Sequence, residues 1–390
     1  MEILFLEWNS FGNPDIIEAF ERLGFHVSSC SLEKGTGISE RDAEKAIRPR
    51  IERKRPDFVF SFNYLPDASM ICQEYDIPYV SWVYDSPHIQ VYSYTVLNPC
   101  NHIFLFDYFL YDKFAREGIS TVHYLPLAVN DQRLRNLQNT DLLKRKYEAD
   151  ISFVGALYDE PKHRLYAKFQ NIDPYAKGYL DAVTSAQKMV YGYNFLEEML
   201  TPQILNELEK EYPTDPNAST AMKPEEIYAD YVLSRHVTAM ERREILQMLG
   251  NAFPQNRIRL YTNNKTQFKG VENQGPVDYY DEMPYVFLNS KINLNITLRS
   301  IKTGIPLRAF DIMGCGGFLL TNYQQELLEY FEPDSDFVYY SSYDELRTKA
   351  EYYMSHDKER KEIAENGREK VLREHTMIIR AEKIVKQVLK

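Results

Sequence analysis

Between Leu298 and Gly317 stand Arg299, Lys302, Arg308 and Asp311, with Thr303 and Gly304 in the loop that links them and Pro306 two residues later. Proline suits the first turn of a helix, where a missing N–H costs nothing. The N–H groups of that turn point into the loop and can bind an anion. Arg308 and Asp311, three residues apart, share a helix face. Phosphate on the helix terminus and ribose hydroxyls on the carboxylate would use this layout. An ordinary i,i+3 ion pair on a capped helix fits the same residues. Gly314, Gly316 and Gly317 then end the helix.

Two further stretches carry chemistry. In Phe153-Val154-Gly155 a glycine ends a strand, where it either lets backbone approach a diphosphate or makes a simple tight turn. In Tyr84-Asp85-Ser86-Pro87-His88 a carboxylate and an imidazole stand three apart after a strand, a spacing that can supply a general base. The alternative has Asp85 capping the turn and His88 serving as a structural hydrogen-bonder. Asp334-Ser335-Asp336 has the D-x-D spacing of metal-dependent transferases but reads as a solvated turn. No His or Cys set has metal-ligand spacing, and no metal site is expected.

The elements that must position these residues follow from the apolar runs. Residues 3–6, 25–27, 58–62, 79–83, 102–106 and 122–125 read as strands, with helices predicted at 40–54 and 108–117. Near-continuous apolar strands alternating with helices point to a parallel sheet covered on both faces. Residues 130–149 are polar and read as a linker. Strands resume at 151–154, 258–261, 292–296, 318–320 and 337–340. Helices are expected at 240–252, 285–290, 306–313, 326–331 and 343–356. Residues from about 160 to 240 break the rhythm and read as a helical insertion. The fold class is therefore α/β, with two Rossmann-like domains whose strand carboxyl ends face a cleft, a helical insertion and a final helix at 377–390.

Composition narrows the partners. The chain has 390 residues and a net charge of −11, which excludes a polymeric nucleic-acid partner. A small anionic ligand needs only a few local basic groups. Four cysteines without a C-x-x-C pair indicate no disulfide framework, and no apolar stretch approaches a membrane span. The expected location is the cytoplasm.

The run Gly275–Asn322 also carries a family likeness. With Tyr279–Phe287, Ser290–Lys302, Pro306–Asp311 and Gly316–Asn322, it resembles the CgeB-like (spore maturation) glycosyltransferases. Trp82–His88 and Tyr191–Glu198 resemble the N-terminal domain of unknown function that often precedes that module.

The resemblance implies a GT-B fold. Residues 1–146, with 377–390 packing back on them, would hold the acceptor, and residues 147–376 a nucleotide-sugar donor of the UDP or GDP type. Asp85 and His88 would deprotonate an acceptor hydroxyl on a glycan or protein, with Ser10, Gly12, Asn13 and Tyr84 on the acceptor side. Gly155 would admit the diphosphate. Arg299, Lys302, Thr303, Gly304 and Arg308 would hold it, and Asp311 the ribose. No metal and no cofactor beyond the nucleotide-sugar co-substrate are expected. Related GT-B transferases carry Glu-x7-Glu. Its second acid falls on Asp311 and its first on Thr303, which leaves the stereochemistry open. The basic face of the last helix also suits peripheral membrane contact, which ranks lower. Two other readings stand beside transfer: a nucleotide-sugar epimerase, and a non-catalytic nucleotide-sugar-binding partner subunit.

Overall fold

Strands such as Phe58–Phe62 and Tyr79–Val83 are buried along their whole length. Such strands need helices over both faces, and the chain supplies them from the segments between strands. The computed structural model describes residues 1–32, 40–214 and 221–389, apart from the side chains of residues 40–42. Lys390, the last residue of the predicted final helix, lies outside the described residues.

The first of two compact units comprises residues 1–132 and 221–222 together with 373–389. Its strands are β1 (Glu2–Glu7), β2 (His26–Ser31), β3 (Phe58–Phe62), β4 (Tyr79–Val83), β5 (Asn101–Leu105) and β6 (Val122–Tyr124). They form one parallel sheet in the order β2-β1-β3-β4-β5-β6. One face of its core holds Leu4, Leu6, Val59, Tyr79, Val83 and Ile103. The helix Pro66–Glu74, not expected from the sequence, covers part of it.

The second unit spans residues 133–214 and 223–372. The segment read as a linker carries two short helices, Asp131–Arg135 and Asp141–Tyr147. The strands are β7 (Ala149–Val154), β8 (Ile258–Tyr261), β9 (Glu272–Asn273), β10 (Ser290–Asn295), β11 (Leu319–Asn322) and β12 (Val338–Tyr340). They are parallel in the order β12-β11-β10-β7-β8-β9. Two parallel sheets with helices give the α/β class expected. Between β7 and β8 lies a helical segment with a core of its own, including Phe169, Leu180, Leu196, Leu208, Tyr228 and Val237. A π-helical turn, Tyr228–Leu233, joins it to the helix Ser234–Ala252. Among the described residues, no helix is long and apolar enough to cross a membrane.

The last helix, Met377–Val388, belongs to the first unit and packs on the helix Asn13–Arg22. Its buried face is Met377, Arg380, Ala381 and Ile384. Arg380 is 2% exposed and donates to the Pro126 carbonyl (2.8 Å), the Leu127 carbonyl (3.3 Å) and His375 Nδ1 (2.7 Å). Met377 N–H donates to Val129 O and Val129 N–H to His375 O. Arg380→Met would leave these buried acceptors unmet, at a cost of about 2–4 kcal/mol. Urea unfolding followed by circular dichroism should show that loss. A midpoint matching the wild type would mean the helix is held by its apolar face alone.

Candidate active site

The loop after β10 is fixed at nearly every residue. Thr297 N–H donates to Asn322 Oδ1 (2.7 Å), and Arg299 N–H to Thr238 Oγ1 (3.0 Å). Asn194 Nδ2 donates to Arg299 O (2.8 Å), Gln324 Nε2 to Ile301 O (3.3 Å) and Glu326 N–H to Thr303 O (3.1 Å). The sequence reads as a polar loop, but its backbone is held from the insertion, from the helix Ser234–Ala252 and from the loop after β11.

Arg299 corrects one expectation. Its side chain does not reach out to a ligand but turns into the fold. Nε donates to Glu241 (2.9 Å), Nη1 to Val190 O (2.8 Å) and Nη2 to Lys188 O (3.0 Å). The guanidinium lies over the Tyr191 ring at 4.2 Å, and the Tyr191 hydroxyl donates to the other Glu241 oxygen. Burial works to lower the Arg299 pKa, but Glu241 together with Tyr191 and Tyr340 outweighs it and the net shift is upward. Arg299 is thus an anchor of the loop. Lys302 pairs with Asp230 at 2.6 Å.

Pro306, Arg308 and Asp311 lie at the start of the helix that follows this loop. Pro306 stands at the N-cap of the helix Leu307–Gly314, where its side chain makes no capping hydrogen bond. Arg308 is half-buried over the Phe287 ring (5.5 Å), beside Met283 Sδ and 3.9 Å from Asp311. Asp311 is buried, and its Oδ1 accepts from the Tyr279 hydroxyl at 2.9 Å. The Arg133 guanidinium lies over the Tyr279 and Tyr280 rings at 5.4 and 5.1 Å. Gly304 is buried at the turn, and the Thr303 hydroxyl donates to Glu326 Oε1 at 2.7 Å. Glu326, 1% exposed, brings a carboxylate to a position where the chain itself has a hydroxyl. Gly155 follows β7, with its N–H bonded to Tyr261 O. Gly317 closes the helix where a Cβ would meet Asn293 Nδ2 at 2.7 Å and Phe287 O at 2.9 Å.

In the first unit the expected Asp85–His88 dyad separates into two environments. Asp85 is exposed, and its Oδ2 accepts from Asn63 Nδ2 at 2.7 Å. Asn63 is fully buried in a left-handed conformation (φ 56°), and its Oδ1 accepts from the N–H groups of Tyr84 and Asp85. His88 is 5% exposed, and its Nε2 lies 3.1 Å from Tyr64 N and 3.0 Å from Tyr64 O. Burial pushes its pKa down to about 4, against a smaller opposing effect of the Tyr64 backbone. So weak and enclosed a base suits the structural alternative. Tyr84 stacks on Trp8, with centroids 6.2 Å apart. Ser10 and Asn13 bond to each other, and Asn13 Nδ2 donates to Trp8 O (2.9 Å). Gly12 takes φ 85°, which favours glycine, and a Cβ there would press on the Phe62 ring at 3.3 Å.

Among the described residues no group of three or more His, Cys, Asp or Glu side chains comes together to hold a metal ion. Residues 236–386 match the model of a family described as glycosyl transferase-like. That segment is a glycosyl transferase-like domain, and the chain is a glycosyltransferase. It contains the loop after β10, Glu241, Asp311 and Glu326. Similar solved structures include a glycosyltransferase from Rickettsia africae, 12% identical with a TM-score of 0.54, over 100% of this chain and 98% of that one. The Anabaena protein HepE in complex with UDP-glucose is 10% identical with a TM-score of 0.56, over 100% and 99%. Sucrose-phosphate synthase from Thermosynechococcus elongatus is 9% identical with a TM-score of 0.55, again over 100% and 99%. At such identities the likeness is one of fold, and the fold is GT-B. No curated protein matches the chain.

Sequence reasoning missed Asn63, Glu241, Tyr279 and Glu326. Their partners lie 22, 58, 32 and 23 positions away.

Two outcomes follow from this geometry. Glu241→Gln strands the buried Arg299 charge and should cost about 3–5 kcal/mol, while Glu241→Met with Arg299→Met should recover much of it. Thermal denaturation of the three variants checks this. For His88, the folded pKa of about 4 lies below its ordinary value of 6.5. The unfolded chain therefore binds more protons in that window, so stability is full above pH 6.5 and falls as pH drops toward 4. His88→Asn should flatten the curve there by up to about 3 kcal/mol. Parallel curves for wild type and variant would show that His88 charges freely in the fold.

Proposed function

We propose that this glycosyltransferase moves a sugar from a nucleotide-diphosphate donor of the UDP or GDP type to a hydroxyl of a glycan or protein, without a divalent metal. One observation carries the reading. Within the matched segment, Asp311 stands one turn into a helix whose N-cap residue, Pro306, makes no side-chain cap, next to a loop held by hydrogen bonds. A diphosphate on those N–H groups and ribose hydroxyls on the carboxylate would lie about one helical turn apart, which supports the reading. HepE, a protein of similar fold, is described with UDP-glucose.

In this reading the second unit takes the donor and the first takes the acceptor. The acceptor oxygen attacks the anomeric carbon, the bond from that carbon to the diphosphate oxygen breaks, and Asp85 takes the acceptor proton. Asn63 aims the Asp85 carboxylate, and His88 fixes the backbone at Tyr64 beneath it. Negative charge growing on the leaving diphosphate meets the helix N-terminus at Leu307 and the Arg308 cation. A fixed array of donors and charges needs no reorganisation as the bond breaks. Arg299 serves by holding the loop, and Thr303 and Gly304 by shaping it.

Calorimetric titration of UDP, GDP and their sugars in EDTA tests the donor. At least one should bind, and Asp311→Asn should weaken ribose-bearing ligands about tenfold or more. Asp85→Asn should keep donor affinity and lose transfer by about a hundredfold. A requirement for magnesium or manganese in every case would remove the metal-free mechanism. Wild-type turnover by Asp85→Asn would place the base elsewhere.

A further inference from the structure

Three arginines reach the carboxyl edge of the second sheet, and two of them have a carboxylate. Arg299 pairs with Glu241 and Arg243 with Asp159. Arg242, 8% exposed, has no carboxylate within ion-pair distance among the described residues. Its Nη1 donates to Ala156 O (2.5 Å), just past β7, and its Nη2 to Ile296 O, just past β10. Its Nε is buried with no hydrogen-bond partner. The rings of Phe153 and Tyr158 flank it at 5.2 and 4.8 Å.

A guanidinium stays charged in proteins, and a buried charge without an ion-pair partner is costly; the Glu241 and Glu160 carboxylates act on Arg242 only by longer-range attraction. Two carbonyls and two ring faces offset only part of that cost. The surrounding turn is shaped to the group. Gly155 presents no side chain, and a Cβ built there would lie 3.8 Å from Arg242 Nη1. Tyr158, which covers the other side, holds φ 60°, a left-handed conformation rare for its type. An anion resting against Gly155 would therefore lie about one atomic layer from a fixed positive charge.

We infer that Arg242 is a donor-site cation whose charge, without an ion-pair partner of its own, is met by the diphosphate of the sugar donor. The inference rests on the nucleotide-sugar reading and adds to it a residue that the spacing of Arg299, Lys302 and Arg308 did not reveal. By holding Ala156 and Ile296 together, Arg242 also sets the distance between the glycine turn and the loop after β10.

The test titrates inorganic pyrophosphate, UDP, GDP, uridine and guanosine into the wild type, Arg242→Lys, Arg242→Gln and Gly155→Ala. Glutamine keeps N–H donors for the carbonyls without charge, and lysine keeps charge. Arg242→Gln should lose about ten- to a hundredfold in affinity for pyrophosphate and for whichever nucleotide binds, with nucleoside affinity unchanged. Arg242→Lys should recover most of that loss. Gly155→Ala, which fills the approach, should show the same selective loss should Arg242→Gln not fold. Equal losses for nucleoside and diphosphate with no rescue by lysine would overturn the inference, as would unchanged pyrophosphate binding in both Arg242→Gln and Gly155→Ala. Pyrophosphate binding by the wild type that Arg242→Gln loses, without any nucleotide binding, would sink the donor reading and leave the anion site standing.

Discussion

The ion pair between Glu241 and Arg299 holds the loop after β10 in place. It joins the helix Ser234–Ala252 to the loop after β10, and through the Lys188 and Val190 carbonyls it also joins the helical insertion. A pair this buried contributes little net stability over apolar residues of like size, because desolvation offsets the attraction. What it contributes is position. With Arg299 fixed at its side chain, its N–H and its carbonyl, the chain from Thr297 to Thr303 has one path available. The helix start at Leu307 follows that path.

The insertion gains a clearer meaning in this light. It carries a hydrophobic core of its own. It reaches the site through Asn194, which holds Arg299 O, and through Asp230, which holds Lys302. Two polar side chains and two backbone carbonyls thus couple it to the loop after β10.

Most of the architecture was legible because parallel strands buried on both faces write themselves as unbroken apolar runs, as Phe58–Phe62 and Ile292–Ile296 do. The helix Asp357–Glu374 was not. Its buried side chains are few and spread among charges, with Arg360 and Gly367 on the inward face, so no apolar stripe marks it. The short strand Glu272–Asn273 is polar and at an edge, and carries no signal either. At the site, Arg308 and Asp311 could be read because they are local to one helix. Asp85 and His88 looked alike in spacing, yet one is exposed and the other enclosed by Tyr64. That difference arises from Asn63 and from β3, which lie more than twenty residues upstream. Spacing along the chain reports which groups are near in sequence, and the environment that tunes them comes from elsewhere.

The first unit is discontinuous: residues 1–132 and 373–389 lie on either side of the whole second unit. During synthesis the sheet β1–β6 leaves the ribosome without the helix that carries Arg380. At ordinary elongation rates that helix follows roughly ten to fifty seconds later. In that interval the surface of the helix Asn13–Arg22 that will receive Met377, Ala381 and Ile384 stands open to solvent. The second unit, made later, has all its chain by residue 372 and can close first. The second unit can thus complete its fold before the first, although the first begins to be translated earlier.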